Sequence, residues 1–159
     1  MRIGVISDTH GLLRPSAKVF LKGSDRIIHA GDIGKPEVLE ELSELAPVTA
    51  VRGNNDRGAW AETLPETVLL TAEKDVIIYV LHDLQQLGKG ELGAGVKAII
   101  SGHSHKPLIK ERDGILYLNP GSAGPRRFKL PVSVAELLLS AETLSARIVE
   151  IQVFFGGQV

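Results

Sequence analysis

Five short apolar runs rich in β-branched residues recur along the chain, and each has the length and composition of a buried strand. They cover residues 2–7, 26–30, 48–52, 76–81 and 96–100. Between the first three runs lie two helical candidates, residues 15–22 and 36–45, and each begins with a proline, which suits the first turn of a helix. This alternation of strand and helix predicts a largely parallel sheet in the first half of the chain.

The second half of the chain has the pattern of hairpins. Its strand-like runs lie at residues 66–72, 75–81, 107–119, 132–139 and 144–153. A short polar turn separates the first two runs, and the third turns back at Asp113–Gly114. We therefore expect an α/β fold of two packed mixed β-sheets flanked by helices, in a single domain that spans residues 1–159.

Composition narrows the class of protein. Of the 159 residues, 43% are hydrophobic and 23% charged, as in soluble globular domains. A net charge of -1 gives no electrostatic reason to expect long nucleic acid or an acidic membrane as a partner. The absence of cysteine excludes disulfides, thiolate metal sites and cysteine nucleophiles. No apolar run resembles a signal peptide or a membrane span, so we expect a cytoplasmic protein.

Polar motifs follow the predicted strands at the point where each strand ends. They are "DTHG" (8–11), "GD" (31–32), "GNND" (53–56), "HD" (82–83) and "GHSH" (102–105). Four of the five histidines of the chain belong to these motifs. Each motif alone is a common turn or cap, but ligands of α/β sheets collect at the carboxyl ends of strands. Together the motifs predict one shared site.

The side chains of these motifs suit a metal centre. Imidazole, carboxylate and amide oxygen are ligands for Mn, Fe, Zn or Ni, and no soft sulfur is offered. Two imidazoles from the "GHSH" turn could build a site for a single ion. The surplus of candidate ligands favours two ions roughly 3.5–4 Å apart that share one carboxylate. On this interpretation His103 and His105 face different ions.

The motif set resembles the calcineurin-like metallophosphoesterase family, whose Asp-x-His, Gly-Asp, Gly-Asn-x-Asp, lone His and Gly-His-x-His motifs occur here in order. The resemblance runs from Asp8 to the "NPGS" at 119–122. The small size is similar to that of the compact prokaryotic phosphodiesterase subfamily. It is also similar to that of a eukaryotic retromer subunit, which shares the fold and works as a protein-binding scaffold.

The resemblance implies an αββα sandwich and a dinuclear phosphoesterase. Such an enzyme hydrolyses phosphodiester bonds of a small-molecule substrate by a hydroxide that bridges two metals. The implied ligands are Asp8, His10 and His105 for the first metal, Asn54, His82 and His103 for the second, and Asp32 as the bridge. Mn²⁺ is the expected ion, and the same ligands accept Fe, Ni or Zn. The alternatives are a non-catalytic interaction scaffold on the same fold, and a phosphomonoesterase or nuclease.

Two positions depart from the family pattern. The family commonly has Gly-Asn-His, or Cys in place of that His, and this residue donates a proton; here it is Asn55. An amide donates a hydrogen bond to phosphate but does not deliver a proton. Together with the implied metal ligands Asp32 and Asn54, we expect Asn55 to have a catalytic role. The lone His is usually followed by Gly, whereas Asp83 follows His82 here, which alters the expected local backbone but not the ligand.

Two residues near the motifs have alternative interpretations. His29 precedes the "GD" motif and either orients a ligand from behind or is a hydrogen-bonded strand histidine, and we favour the second. Asp56 either braces Asn54 or caps the following segment.

The last part of the chain offers two further features. Beside the "NPGS" turn lie three cations, which either recognise the phosphate of the substrate or belong to a solvated loop, the interpretation that we favour; they are Arg126, Arg127 and Lys129. The apolar end, residues 153–159, either pairs with a neighbouring chain in a homo-oligomer or forms an ordinary last strand with a frayed end.

Overall fold

The computed structural model describes residues 1–88, 90 and 92–151, and these form ten strands and three α-helices. The strands are β1 Arg2–Ile6, β2 Arg26–His29, β3 Val48–Ala50, β4 Thr67–Thr71, β5 Ile77–Leu81, β6 Val96–Ile100, β7 Leu108–Arg112, β8 Ile115–Asn119, β9 Ser133–Leu139 and β10 Leu144–Glu150. The helices are α1 Pro15–Leu21, α2 Pro36–Ser43 and α3 Ala59–Glu62, with 3₁₀ turns at Glu73–Asp75 and Leu84–Gln86. The apolar end at 153–159 lies outside the described residues.

The strands form two five-stranded sheets, each of mixed direction. The first has the order β10-β9-β1-β2-β3, in which β1, β2 and β3 are parallel and β9 is antiparallel to both of its neighbours. The second has the order β4-β5-β6-β8-β7, with a parallel centre and an antiparallel strand at each edge. The expected α/β fold with two mixed sheets is confirmed. Both predicted hairpins form, the second with its turn at Asp113–Gly114.

The main hydrophobic core lies between the two sheets. It joins Val5 and Ile28 of the first sheet to Ile78 and Ile100 of the second, and all four side chains are fully buried. Each such side chain contributes about 1.5–3 kcal/mol when it leaves water. This core holds the two sheets face to face, so their strand ends come together along one edge.

The two outer faces are covered differently. Helices α1 and α2 cover the first sheet, where Leu21 and Leu42 are fully buried. On the second sheet, Leu84, Leu87 and Leu92 of the segment after β5 pack against Tyr79 and Ile99. Among the described residues of that segment there is only a 3₁₀ turn, because glycine occupies four of the eight positions 88–95 and disfavours a helix.

No helix among the described residues is long and apolar enough to cross a membrane.

Candidate metal centre

The loops that follow the strands are joined by hydrogen bonds. The Asp8 amide donates to the Gly31 carbonyl at 3.0 Å, and the His10 amide donates to the Asp32 carbonyl at 3.0 Å. The two sheets are linked by the His103 amide, which donates to Asp8 Oδ2 at 3.1 Å. These bonds bring the carboxyl ends of strands from both sheets to one place, as the sequence predicts.

The site is built on strained backbone. Five of its residues have left-handed φ values, namely Asp8 (54°), His10 (47°), Asp32 (53°), His103 (68°) and His105 (61°). Non-glycine residues rarely adopt this conformation, which costs about 1 kcal/mol or more for each residue. Strain of this kind persists only where surrounding contacts enforce it, and it clusters at functional sites.

Two motif glycines make room for the carboxylates. A Cβ atom on Gly53 would overlap the backbone nitrogen and Oδ1 of Asp32. A Cβ atom on Gly102 would overlap Ser7 Oγ and lie 2.6 Å from Asp8 Oδ2. The glycines of "GNND" and "GHSH" are therefore required for close approach to the two aspartates.

One cluster of the site contains Asp8, His10 and His105. Asp8 is fully buried, and its Oδ1 atom has no hydrogen-bond partner among the described residues. This oxygen lies 3.2 Å from His105 Nε2 and 3.9 Å from His10 Nε2, and the two nitrogens are 3.5 Å apart. The other oxygen, Oδ2, accepts hydrogen bonds from the Ser7 hydroxyl at 2.6 Å and from the backbone of the second sheet.

The second cluster contains Asn54, His82 and His103. Asn54 Oδ1 lies 2.9 Å from His82 Nε2 and 3.0 Å from His103 Nδ1. His82 Nδ1 lies 2.7 Å from the Ala30 carbonyl, which can only accept a hydrogen bond. The proton of a neutral His82 is therefore on Nδ1, and Nε2 turns its lone pair towards the centre of the site.

Asp32 lies between the two clusters. Its Oδ2 atom is 3.4 Å from His82 Nε2 and 3.8 Å from His10 Nε2. Asn55 donates twice to this carboxylate, from its backbone N–H to Oδ1 at 2.8 Å and from its side-chain amide to Oδ2 at 2.9 Å. The structure thus brings together all eight residues that the sequence singled out, which are Asp8, His10, Asp32, Asn54, Asn55, His82, His103 and His105.

The electrostatics of the site favour a cation. Burial opposes ionisation of Asp32, but hydrogen bonds from His82 and Asn55 outweigh it and hold the pKa of the carboxyl well below its usual value. Burial also opposes ionisation of Asp8, yet the neighbouring His105 and Ser7 lower its pKa. For His82, burial opposes protonation, but Asp32 and the Ala30 carbonyl raise the pKa. Both carboxylates are charged at neutral pH, and the surrounding field attracts positive charge.

These residues fit divalent metal ions. The ligand atoms of Asp8, His10 and His105 lie within 4.8 Å of one another, and so do those of Asp8, Asp32 and His82. An unpartnered buried carboxylate oxygen is costly unless something with positive charge meets it. A cation at this point would satisfy Asp8 Oδ1 and accept the imidazole lone pairs that now face oxygen atoms.

His29 supports the loops from behind without touching a predicted ligand side chain. It is fully buried, and burial lowers its pKa to about 3, so the ring is neutral. Its Nδ1 accepts the Gly31 N–H at 3.1 Å, so Nε2 carries the proton and donates to Thr9 Oγ1 at 2.9 Å. His29 is a hydrogen-bonded strand histidine that also joins the loops after β1 and β2.

Asp56 and Asp83 both fix backbone. Asp56 accepts the N–H of Gly34 at 2.9 Å and that of Gly53 at 2.8 Å, which joins the loops after β2 and β3. Asp83 accepts the Gln85 N–H at 3.0 Å and so caps the 3₁₀ turn, and its Oδ2 atom lies 3.8 Å from His103 Nε2.

The side chains of Arg126, Arg127 and Lys129 are exposed and make no hydrogen bond or ion pair with any described residue, as in a solvated loop.

Sequence reasoning missed the residues that hold Asp8 and the "GHSH" loop from below. Ser7 and Ser122 are buried and donate to Asp8, through its Oδ2 atom and its carbonyl respectively. Asn119 donates to the Gly102 carbonyl at 2.9 Å. The available signal was the position of the "NPGS" motif at the carboxyl end of β8, where a sixth loop joins the site.

The fold and the site together are those of the metallophosphoesterase class of proteins. The chain belongs to the calcineurin-like phosphoesterase superfamily, whose domain matches residues 1–142. A probable metallophosphoesterase of Methanothermobacter thermautotrophicus is 41% identical, over 94% of this chain and 92% of the relative. A phosphodiesterase of Methanocaldococcus jannaschii is 28% identical, over 76% of this chain and 83% of its own length.

Solved structures show the same fold. An archaeal phosphodiesterase superimposes with a TM-score of 0.78 at 23% identity, covering 96% of this chain and 100% of that one. Vps29 of Chaetomium thermophilum gives a TM-score of 0.79 at 19% identity, over 99% of this chain and 91% of that one. Vps29 of Entamoeba histolytica in complex with zinc is 25% identical, with a TM-score of 0.68 over 94% of this chain and 99% of that one.

Proposed function

We propose that this chain is a phosphodiesterase that uses two divalent metal ions, with Mn²⁺ as the activating ion. The observation that carries the proposal is the buried, unpartnered Asp8 Oδ1, which faces imidazole nitrogens from loops of both sheets. The curated relatives, which are named metallophosphoesterases and a phosphodiesterase, support the same chemistry.

The proposal assigns a role to each residue of the site. Asp8, His10 and His105 hold one ion, Asn54, His82 and His103 hold the other, and Asp32 is shared. When bound, two such ions neutralise the charge of the phosphoryl oxygens and lower the pKa of a coordinated water. The Ala30 carbonyl keeps the His82 ring in the orientation that ligation requires.

Asn55 has a positioning role in this proposal. Its backbone and side-chain N–H groups hold the Asp32 carboxylate, and the amide is close enough to the centre to donate a hydrogen bond to a phosphoryl oxygen. The amide does not release a proton at neutral pH, so the departing alkoxide takes its proton from water or from another residue.

The test is the hydrolysis of bis(p-nitrophenyl) phosphate by metal-stripped protein that is titrated with Mn²⁺. We expect saturable activation in the unchanged protein and a loss of at least about 100-fold in Asp32→Asn, which keeps the shape of the side chain but removes its charge. Asp113→Asn is the matched control, because Asp113 is an exposed turn residue. Full activity of Asp32→Asn at saturating metal would contradict the assigned role.

A non-catalytic scaffold is the second candidate. The fold is shared with Vps29, one example of which is complexed with zinc, so metal binding alone does not separate an enzyme from a scaffold. Asn55 at the position of a proton donor also favours this alternative. Tight Mn²⁺ binding without turnover of any aryl phosphodiester would support the scaffold.

The same titration with p-nitrophenyl phosphate separates diesterase from monoesterase activity. We expect the diester to be the better substrate of the two. A faster reaction with the monoester would contradict the diesterase proposal while leaving the metal centre in place.

A further inference from the structure

We infer that the groove beside the second cluster of the metal centre binds an uncharged, hydroxyl-bearing substituent of the substrate, of the size of a monosaccharide. The inference rests on the proposed phosphodiesterase activity and specifies the class of diester that this site takes. We call this feature the polar groove.

The polar groove opens directly from the metal centre. It has a volume of about 590 Å³, and its lining combines Asn54, His82 and His103 of the centre with Arg52, Glu66 and Gln86. Two further cavities, of about 310 and 660 Å³, contain none of the predicted ligands. A diester whose phosphorus lies at the centre therefore has space for one of its two substituents in the polar groove, and the volume admits a monosaccharide.

The lining offers little to an apolar or aromatic substituent. Among the described residues Leu81 is the only aliphatic side chain of the lining and is 3% exposed, and the only aromatic rings are the imidazoles of His82 and His103, which are proposed metal ligands. An aryl or alkyl group would therefore lose water on entry without finding apolar surface to pack against. A quaternary ammonium group would lack the aromatic faces that usually bind it.

The charges of the lining disfavour an anionic substituent. The one cation among the described residues of the lining, Arg52, is paired through Nη2 with Glu66 Oε1 at 2.8 Å. Two further carboxylates line the groove, those of Asp56 and Asp83, and Asp56 is saturated by two backbone N–H groups. Apart from the proposed metal ions, the described lining therefore offers no unpaired cation to a second phosphate or a carboxylate.

The free hydrogen-bonding groups of the groove match hydroxyls. The Gln86 amide and the Thr67 hydroxyl have no hydrogen-bond partner among the residues that the structure describes, and both line the groove. The amide offers donors and an acceptor, and the threonine hydroxyl offers both, while Asp83 Oδ2, which lies 3.8 Å from His103 Nε2, adds an acceptor. A hydroxyl is the uncharged group that can donate and accept in the same place, and a sugar carries several of them.

The experiment compares three p-nitrophenyl diesters that share one leaving group and differ only in the second alcohol. These alcohols are methyl glucoside attached through its 6-oxygen, cyclohexylmethanol and 2-aminoethanol. With the manganese-loaded protein we expect kcat/KM for the glucoside to exceed that for the cyclohexylmethyl ester by about tenfold. Gln86→Ala should remove most of this preference, so that the ratio of the two kcat/KM values falls towards one.

Gln85→Ala is the matched control. Gln85 belongs to the same 3₁₀ turn and has the same side chain, but it does not line the groove. A binding measurement accompanies the kinetics: calorimetric titration should show glucose 6-phosphate binding tighter than cyclohexylmethyl phosphate, by a ratio that falls in Gln86→Ala and persists in Gln85→Ala.

The outcomes separate this inference from the proposed function. Equal rates for the glucoside and cyclohexylmethyl esters, or equal effects of the two glutamine variants, would overturn the hydroxyl subsite while leaving a phosphodiesterase. Preference for the aminoethyl ester would also overturn it, in favour of a cation site. Failure to hydrolyse any diester, bis(p-nitrophenyl) phosphate included, would overturn the proposed function and this inference with it.

Discussion

At the scale of single residues, Asn55 determines which substrates the proposed enzyme can cleave. Because its amide does not act as a general acid, the rate should fall steeply as the pKa of the leaving alcohol rises. We expect aryl diesters to be cleaved much faster than alkyl diesters, and Asn55→His to raise the alkyl rate by at least about tenfold. A plot of log kcat against leaving-group pKa measures both effects.

The control for this prediction is Asn55→Gln, which keeps an amide and should keep the steep slope. Equal rates for aryl and alkyl diesters in the unchanged protein would show that another group donates the proton.

The sequence predicts which residues form the site, but it does not predict the hydrogen bonds that hold these residues in place. Each proposed ligand follows a predicted strand, and the carboxyl ends of the strands meet at one edge of the fold. The sequence does not show that Asp8 Oδ1 lacks a partner or that Asp56 ties two loops together. These features depend on atoms from segments that are distant along the chain and meet only in the folded protein.

At the scale of structural elements, the loop after β6 tolerates no side chain at Gly102. Gly102→Ala should displace Ser7 and Asp8, which lowers Mn²⁺ affinity and destabilises the fold by about 1–3 kcal/mol. Gly93→Ala is the matched control, since a Cβ atom there meets no atom within 4 Å. Chemical denaturation and a manganese titration of both variants test this prediction, and similar behaviour of the two would contradict it.

The ion pairs that connect β1, β9 and β10 should make the free energy of unfolding depend on pH. Glu136 of β9 is 4% exposed and forms ion pairs with Arg2 of β1 and Arg147 of β10. Burial opposes its ionisation, but the two arginines outweigh this and hold its pKa below the ordinary value of 4.5. As the pH falls, Glu136 takes up its proton at a higher pH in the unfolded chain than in the folded one. The contribution of Glu136 to the free energy of unfolding is therefore complete above about pH 5 and is lost as the pH falls through the folded-state pKa.

We therefore expect Glu136→Gln to lose less stability than the unchanged protein when the pH falls from 5 towards 3. Glu150→Gln, on the exposed end of β10, should behave like the unchanged protein. Denaturant midpoints at a series of pH values measure the difference, and parallel curves for all three proteins would contradict the assignment.

The elements themselves show where sequence reasoning stops. The run "VSVAELLL" correctly predicts β9, but the pattern does not reveal that Glu136 is buried, because one of its partners lies 134 residues away along the chain. The layer over the second sheet was also unpredictable in detail. Its leucines are spaced for burial, and the glycines between them permit only a 3₁₀ turn among the described residues.

At the scale of the whole molecule, metal binding should stabilise the fold. An ion that binds only the folded chain adds about 2.7 kcal/mol at a concentration 100 times its Kd. For a domain of this size we expect the Tm to rise by roughly 5–10 °C, and Asp8→Asn should lose most of this rise. Thermal denaturation with and without Mn²⁺ tests the prediction, with Asp113→Asn as the control that keeps the shift.

The absence of a shift in the unchanged protein would contradict metal binding itself, and with it both the enzyme and any zinc-binding scaffold. A normal shift in Asp8→Asn would instead remove Asp8 from the ligand set.

The left-handed backbone at five site residues has an evolutionary consequence. Glycine would adopt the same conformations without the Cβ penalty, so the fold keeps each of these aspartates and histidines against its own stability. Only selection for the chemistry maintains such residues. A lineage released from that selection would relieve backbone strain with each replacement by glycine, but at Asp8 and Asp32 it would also lose the hydrogen bonds that these carboxylates accept from His103 and Asn55. The proposed histidine ligands would then disappear first, and the sheets beneath them would survive.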